Sequence, residues 1–196
     1  MNSVCVFCGS SSGGNPVYEE AARVTGHALV SAGWHLVYGG GRVGLMGVLA
    51  DTVLSAGGRV TGVMPRALFE REIAHAGVSD LRIVENMHER KDLMASLADA
   101  FIALPGGVGT LEEILEQWTW SQLGIHAKPC AFLNVNGYFD PMVTMIERMV
   151  AEGFLAVPFA RMLAIETEPD RIFARFREYE PPARKWASQS SPGVRP

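Results

Sequence analysis

The sequence lacks any uninterrupted apolar run near the roughly 18 to 20 residues that a helix needs to cross a bilayer, since Gly, Asp or Arg breaks every candidate. Membrane insertion is therefore not expected. It also lacks a Lys/Arg block, and its net charge of -4 withholds the basic footprint that releases counterions from duplexes. Nucleic acid is not the expected partner. Cysteine is scarce: Cys5, Cys8 and Cys130 form an odd set that offers no disulfide scaffold, and the first residues do not read as a charged and then apolar leader. A reducing cytoplasm is the expected location. Cys5 and Cys8 have the spacing of half a zinc site, but they sit in an apolar run that reads as a strand and have no second Cys or His pair nearby. His27, His35, His75, His88 and His126 show no H-E-x-x-H or other metal spacing, so no metal is expected. Without a G-x-S-x-G elbow, a serine hydrolase is also disfavoured.

What is present fits one compact domain. A chain of 196 residues with an apolar fraction of 48% is long enough for one well-buried core and short for two. A single domain is expected over residues 1–180. The segment 181–196, rich in Pro and Ser and carrying Lys185 and Trp186, reads as a loosely ordered tail.

Short apolar runs alternate with helical patterns. Val4–Phe7, His35–Tyr38, Val60–Met64, Leu81–Val84, Ala100–Leu104 and Pro129–Leu133 read as strands, with Leu163–Ile165 as a last one. Helical spacing covers Pro16–Ala32, Leu45–Ala56, His88–Leu97, Thr110–Leu123, Pro141–Glu152 and Pro169–Arg177. This rhythm predicts an α/β fold: a single doubly wound, Rossmann-like parallel sheet with helices on both faces. Ligands of such folds bind at the carboxyl ends of the strands, where the glycine turns at Gly9, Gly39 and Gly106 all fall.

Two of these turns have the composition of anion-binding loops. Gly39-Gly40-Gly41-Arg42-Val43-Gly44 matches G-x-G-x-x-G between a strand and a helix. The acidic residue that would hold a ribose is missing from the end of the next strand, Val60-Thr61-Gly62-Val63-Met64-Pro65, so no dinucleotide cofactor is expected. Pro105-Gly106-Gly107-Val108-Gly109-Thr110 is the second loop, leading into a helix whose free N–H groups and dipole favour phosphate. It lacks the Lys-Ser/Thr ending of an ATPase loop. Ser10 and Ser11 could add hydroxyl donors. The alternative is that the glycines only allow tight turns and close packing.

Charged residues open the neighbouring helices. Glu113, Glu116, Gln117 and Trp120 fall on one helical face, which suits either a site where a ring stacks or a polar subunit interface. Arg90 and Lys91, in a first turn that disfavours cations, need either an anionic partner or solvent. Arg90 has the planar fork to clamp a phosphate or hydrogen-bond a base.

With these motifs in order, the chain closely resembles the cytokinin riboside 5'-monophosphate phosphoribohydrolases, long labelled as lysine decarboxylases. The matching stretches are Cys5-Val6-Phe7-Cys8-Gly9-Ser10-Ser11, Tyr38-Gly39-Gly40-Gly41 with Gly44-Leu45-Met46-Gly47, Met87-His88-Glu89-Arg90-Lys91, and Pro105 through Glu113. The likeness continues through Thr119–Gly124 to Asn136-Gly137-Tyr138 and Glu152-Gly153-Phe154, roughly over residues 4–155. One departure is Leu97, where the family commonly has a serine. The resemblance implies hydrolysis of an N6-modified adenosine 5'-monophosphate to free base and ribose 5-phosphate, without a cofactor. Carried over, it makes Arg90 and Glu113 the catalytic residues. Ser10, Gly107, Gly109 and Thr110 become the phosphate cradle with Gly41 closing the other side, and Met87, Lys91, Gly106 and Glu116 further substrate contacts. It also implies a homodimer, for which Trp118, Trp120 and Leu123 could form an interface or pack within the monomer. A hydrolase of AMP and other purine monophosphates, or a nucleotide-binding module without turnover, are the alternatives. Decarboxylation on pyridoxal phosphate would need a Schiff-base lysine, and only Lys91, Lys128 and Lys185 exist.

Overall fold

The computed structural model describes residues 2–70, 74–78 and 80–183. Seven strands form one parallel sheet: β1 (Ser3–Phe7), β2 (His35–Tyr38), β3 (Val60–Pro65), β4 (Asp80–Val84), β5 (Ala100–Ala103), β6 (Cys130–Leu133) and β7 (Leu163–Glu166). Their order across the sheet is β4-β3-β2-β1-β5-β6-β7. The helices are α1 (Val17–Ser31), α2 (Gly44–Ser55), α3 (Arg66–Phe69), α4 (Met87–Leu97), α5 (Val108–Leu123), α6 (Asp140–Ala151), α7 (Val157–Ala160) and α8 (Pro169–Arg177). None among the described residues is long and apolar enough to cross a membrane.

Alternation along the strands divides the core into two layers, because successive side chains leave a strand on opposite faces. Val4 and Val6 of β1 join Leu36 and Tyr38 of β2 in the layer packed by Leu29 of α1, Leu49 of α2 and Phe173 of α8. Cys5 and Phe7 face the other layer, with Val37, Met94 of α4, Ile114 and Trp118 of α5, and Ile146 of α6. Cys5 and Cys8 pack in different layers, and among the described residues no group of three or more His, Cys, Asp or Glu that could hold a metal gathers around them.

The chain winds outward from β1 to β4, then crosses back to β5 and continues to β7, so the winding reverses between β1 and β5. Crevices in open α/β sheets form at such a reversal. Here the turns after β1 and β5 are joined by a Gly9 N–H to Pro105 carbonyl bond of 3.1 Å and a Leu104 N–H to Phe7 carbonyl bond of 2.9 Å.

Three short elements, α3, α7 and a 3-10 turn at Val135–Gly137, were not foreseen, since three or four residues cannot display a helical period. Helix α5 starts two residues earlier than Thr110 because extended Gly107 (φ -84, ψ -161) serves as its N-cap. Trp118 takes the intramolecular alternative: it is buried, and its indole N–H donates to the Phe159 carbonyl at 3.0 Å. Trp120 is half-buried and Leu123 is 36% exposed. Most of the expected tail lies outside the described residues.

Candidate functional site

A cleft of about 380 Å³ opens at the carboxyl ends of the central strands, lined in part by Ser10, Met46, Met87, Arg90, Gly107 and Glu113. Its two charged walls come from consecutive helices. Asn86 caps α4: its Oδ1 accepts the Glu89 N–H at 2.9 Å, while Glu89 reaches back to accept from the Glu85 N–H at 3.0 Å and the Asn86 side-chain amide at 2.9 Å. Reciprocal capping of this kind fixes a first turn. Arg90 and Lys91 are thereby presented inward, where both are buried.

The Arg90 guanidinium donates from Nε to the Val63 carbonyl at 3.1 Å and places Nη1 2.9 Å from Glu113 Oε1. Gly39 makes this possible, since a Cβ there would lie 2.2 Å from Arg90 Nη2. Glu113 is also buried, and its Oε1 forms a close ion pair with the Arg90 guanidinium. Burial pushes the Glu113 carboxyl above its ordinary pKa, Arg90 opposes the rise, and Glu112 adds to it. The reading of Arg90 and Lys91 as a solvated pair does not hold; each has anionic partners. Lys91 Nζ donates to Glu112 Oε1 at 2.5 Å and to Glu116 Oε1 at 2.9 Å. Lys91 and Glu116, expected as substrate contacts, are tied to each other and do not line the cleft.

The glycine loops play different parts. In the second loop, a Cβ at Gly106 would meet Thr110 Oγ1 at 2.1 Å and the Gly9 backbone nitrogen at 2.8 Å, so Gly106 is required for packing. Gly107 and Gly109 are exposed, and a Cβ at either would meet nothing within 4 Å. They face open space at the start of α5, where the first N–H groups of a helix have no partner within it. Thr110 is buried beneath them and lines the cleft beside Ser10. The first loop, Gly39–Gly44, follows the packing alternative. Gly44 has φ +57, and a Cβ on it would lie 2.4 Å from the Ser10 carbonyl carbon and the Ser11 nitrogen. Leu45 N–H then bonds the Gly9 carbonyl at 3.0 Å. Gly41 is buried, bridged to Ala74, and is not brought to the cleft.

Sequence reasoning missed Cys8, Met46 and Leu68, which complete the cleft walls. Leu68 comes from the short α3, which gave no periodic signal. Burial first, and then Glu113, push the Cys8 thiol well above its ordinary pKa, so it is an uncharged part of the wall. A second hollow of about 280 Å³ shares Ser10 and Gly107 with the cleft and is flanked by Tyr18 and Tyr138. Tyr138 donates its hydroxyl to the Gly106 carbonyl at 2.6 Å, bracing the loop from behind. A larger cavity of about 430 Å³ lies at the opposite end of the sheet, beside Arg161 and Tyr179, away from these charged helix starts.

Among the described residues, neither lysine offers a free amine. Lys91 is held by two carboxylates, and Lys128 donates to the Ala95 carbonyl at 2.6 Å; Lys185 lies outside the described residues. No group of three or more His, Cys, Asp or Glu among the described residues could hold a metal ion.

Residues 46–176 match the family described as "possible lysine decarboxylase". The chain is 49% identical over 178 residues to a cytokinin riboside 5'-monophosphate phosphoribohydrolase of Arabidopsis thaliana, covering 91% of this chain and 82% of that one. A phosphoribohydrolase of the same name from Oryza sativa subsp. japonica is 47% identical over 178 residues, covering 91% of this chain and 74% of the relative. Among solved structures, the molybdenum cofactor carrier protein of Chlamydomonas reinhardtii superimposes with a TM-score of 0.68 at 17% identity, covering 91% of this chain and 97% of that one. That likeness shows a shared fold.

Proposed function

The chain belongs to the family described as "possible lysine decarboxylase", and on that premise and the geometry of the cleft we infer that it is a nucleoside 5'-monophosphate phosphoribohydrolase. Its substrates are N6-modified adenosine 5'-monophosphates, the cytokinin riboside monophosphates of its relatives, and its products are free base and ribose 5-phosphate. The observation that carries the catalytic assignment is Glu113: a buried carboxyl of raised pKa that lines the cleft and is held by Arg90.

Breaking the bond from C1' to the base nitrogen builds positive charge on the ribose, as in glycoside hydrolysis. The water oxygen bonds to C1', the C1'–N pair leaves with the base, and the base takes up a proton. Glu113 stabilises the developing charge and accepts the proton of the attacking water. Arg90 holds the Glu113 carboxylate in place and opposes the rise in its pKa, while burial, the larger effect, keeps it basic. Ser10 and the N–H groups of Gly107, Gly109 and Thr110 cradle the phosphate, with Met87 beside Arg90 on the opposite wall. Gly106 serves the cradle by holding Thr110 in place rather than by touching phosphate.

We assign the subunit contact of a homodimer to the exposed apolar end of α5, where Leu123 and Ile125 stand beside half-buried Trp120. Three buried, unpaired cysteines suit a reducing cytoplasm. AMP itself fits the same cradle, and the second reading is a broader purine monophosphate hydrolase. Incubation with N6-isopentenyl-AMP and with AMP, followed by chromatography for free base and ribose 5-phosphate, tests the assignment. Both products in equal amounts support it, and intact nucleotide overturns it.

A further inference from the structure

Arg90 and Lys91 are neighbours on α4, and they address three carboxylates within about one turn of α5: Glu113 for the arginine, Glu112 and Glu116 for the lysine. We propose that Lys91 is a positioning residue for Glu113, clamping Glu112 and Glu116 and so weakening the effect of their negative charges on the carboxylate lying between them in the chain. The proposal rests on the reading of Glu113 as the base of the reaction.

The geometry favours this role over contact with substrate. Lys91 is 8% exposed, has two of its three ammonium donors committed to carboxylates, and does not line the cleft. Burial lowers its pKa, but the bonds to Glu112 and Glu116 overrule burial and hold it above the ordinary lysine value, so it stays charged. The three carboxylates outnumber the two cations facing them, and Glu116 Oε2 is buried with no partner. Removing Lys91 would leave Glu113 among Glu112, Glu116 and a single remaining cation. Arg90 and Lys91 face Glu113 from α4 and lower its pKa, while Glu112 on its own helix raises it. The Cys5 thiol of β1 and the Cys8 thiol just after it lie near Glu113, and both are kept neutral by burial.

The test is an NMR titration of protein labelled with carboxyl-13C glutamate, with the Glu113 signal assigned by its loss in Glu113→Gln. In Lys91→Met the Glu113 midpoint moves to higher pH, and Lys91→Arg restores it. In Glu112→Gln/Glu116→Gln, which keeps the cation, the midpoint moves to lower pH. That second variant decides the matter if Lys91→Met fails to fold. An unmoved Glu113 midpoint in whichever variant is folded overturns the proposal, as does a Lys91→Met enzyme altered only in KM. The acid limb of base release should follow the NMR midpoint. If the wild type releases no base while the Glu113 titration still moves, the hydrolase reading fails and the electrostatic role of Lys91 stands.

Discussion

Arg90 Nη1 lies 2.9 Å from Glu113 Oε1, and both side chains are buried. Burial raises the Glu113 pKa and Arg90 opposes the rise, so the pair holds a carboxylate that is fixed in place and still basic. The two residues therefore fail in different ways when replaced. Glu113→Gln keeps the shape of the side chain and should lower kcat by about 10²- to 10⁴-fold, the usual worth of a positioned acid or base, with nucleotide binding retained. Arg90→Ala leaves the carboxylate buried without a partner and should also cost about 3 to 5 kcal/mol of stability, read as a lower unfolding midpoint.

Gly39→Ala separates the position of Arg90 from its chemistry. The new methyl would lie 2.2 Å from Nη2, at the free end of a flexible side chain, so the backbone can stay while the guanidinium is displaced. The variant should keep its fold, unfold at a lower temperature because the displaced guanidinium loosens its pair with Glu113, and lose most of its activity. Wild-type turnover would show that Arg90 needs no fixed seat.

Neighbouring glycines in the second loop should respond in opposite ways. Gly106→Ala would drive a methyl into Thr110 and the Gly9 backbone and should destabilise the fold. Gly107→Ala and Gly109→Ala meet nothing of the chain and should fold normally, yet raise KM for the monophosphate by intruding on the cradle. Melting curves and kinetics on the three variants check this contrast.

The pH dependence follows from the environment of Glu113. A base must be unprotonated to act, and burial raises its pKa. Activity is therefore absent at low pH and rises through a midpoint above that of an ordinary glutamate. The acid limb of kcat/KM for wild type, compared with that of the Lys91 variants, measures it.

Much of this was legible in the sequence, for physical reasons visible residue by residue. His35–Tyr38 has the expected bounds because Gly33 and Gly39 punctuate its two sides, and Pro169–Arg177 because a proline opens it and its apolar period is regular. Arg90 stood out as a cation in a first turn and Glu113 as a carboxylate on a mixed polar face, the resemblance made them a catalytic pair, and the fold brings them together although 23 residues separate them along the chain. Three things were hidden. Leu68 reaches the cleft from a four-residue helix that has no readable period. The division of labour among glycines depends on what a Cβ would strike, which spacing does not encode; Gly41 and Gly107 look alike in sequence, and only Gly107 opens on the cleft. Lys91 carries the residue type of a phosphate ligand, and only the register of α4 against α5 shows that two glutamates have claimed it.

The most direct test of the account compares N6-isopentenyl-AMP with its dephosphorylated riboside, using wild type and Glu113→Gln, with free base quantified by chromatography. Phosphate binding at Ser10 and the start of α5 should supply the positioning of C1' against Glu113, so the monophosphate is cleaved, the riboside is a poor substrate, and the variant releases almost no base from either. Equal cleavage of the two substrates, or undiminished release by Glu113→Gln, would contradict it.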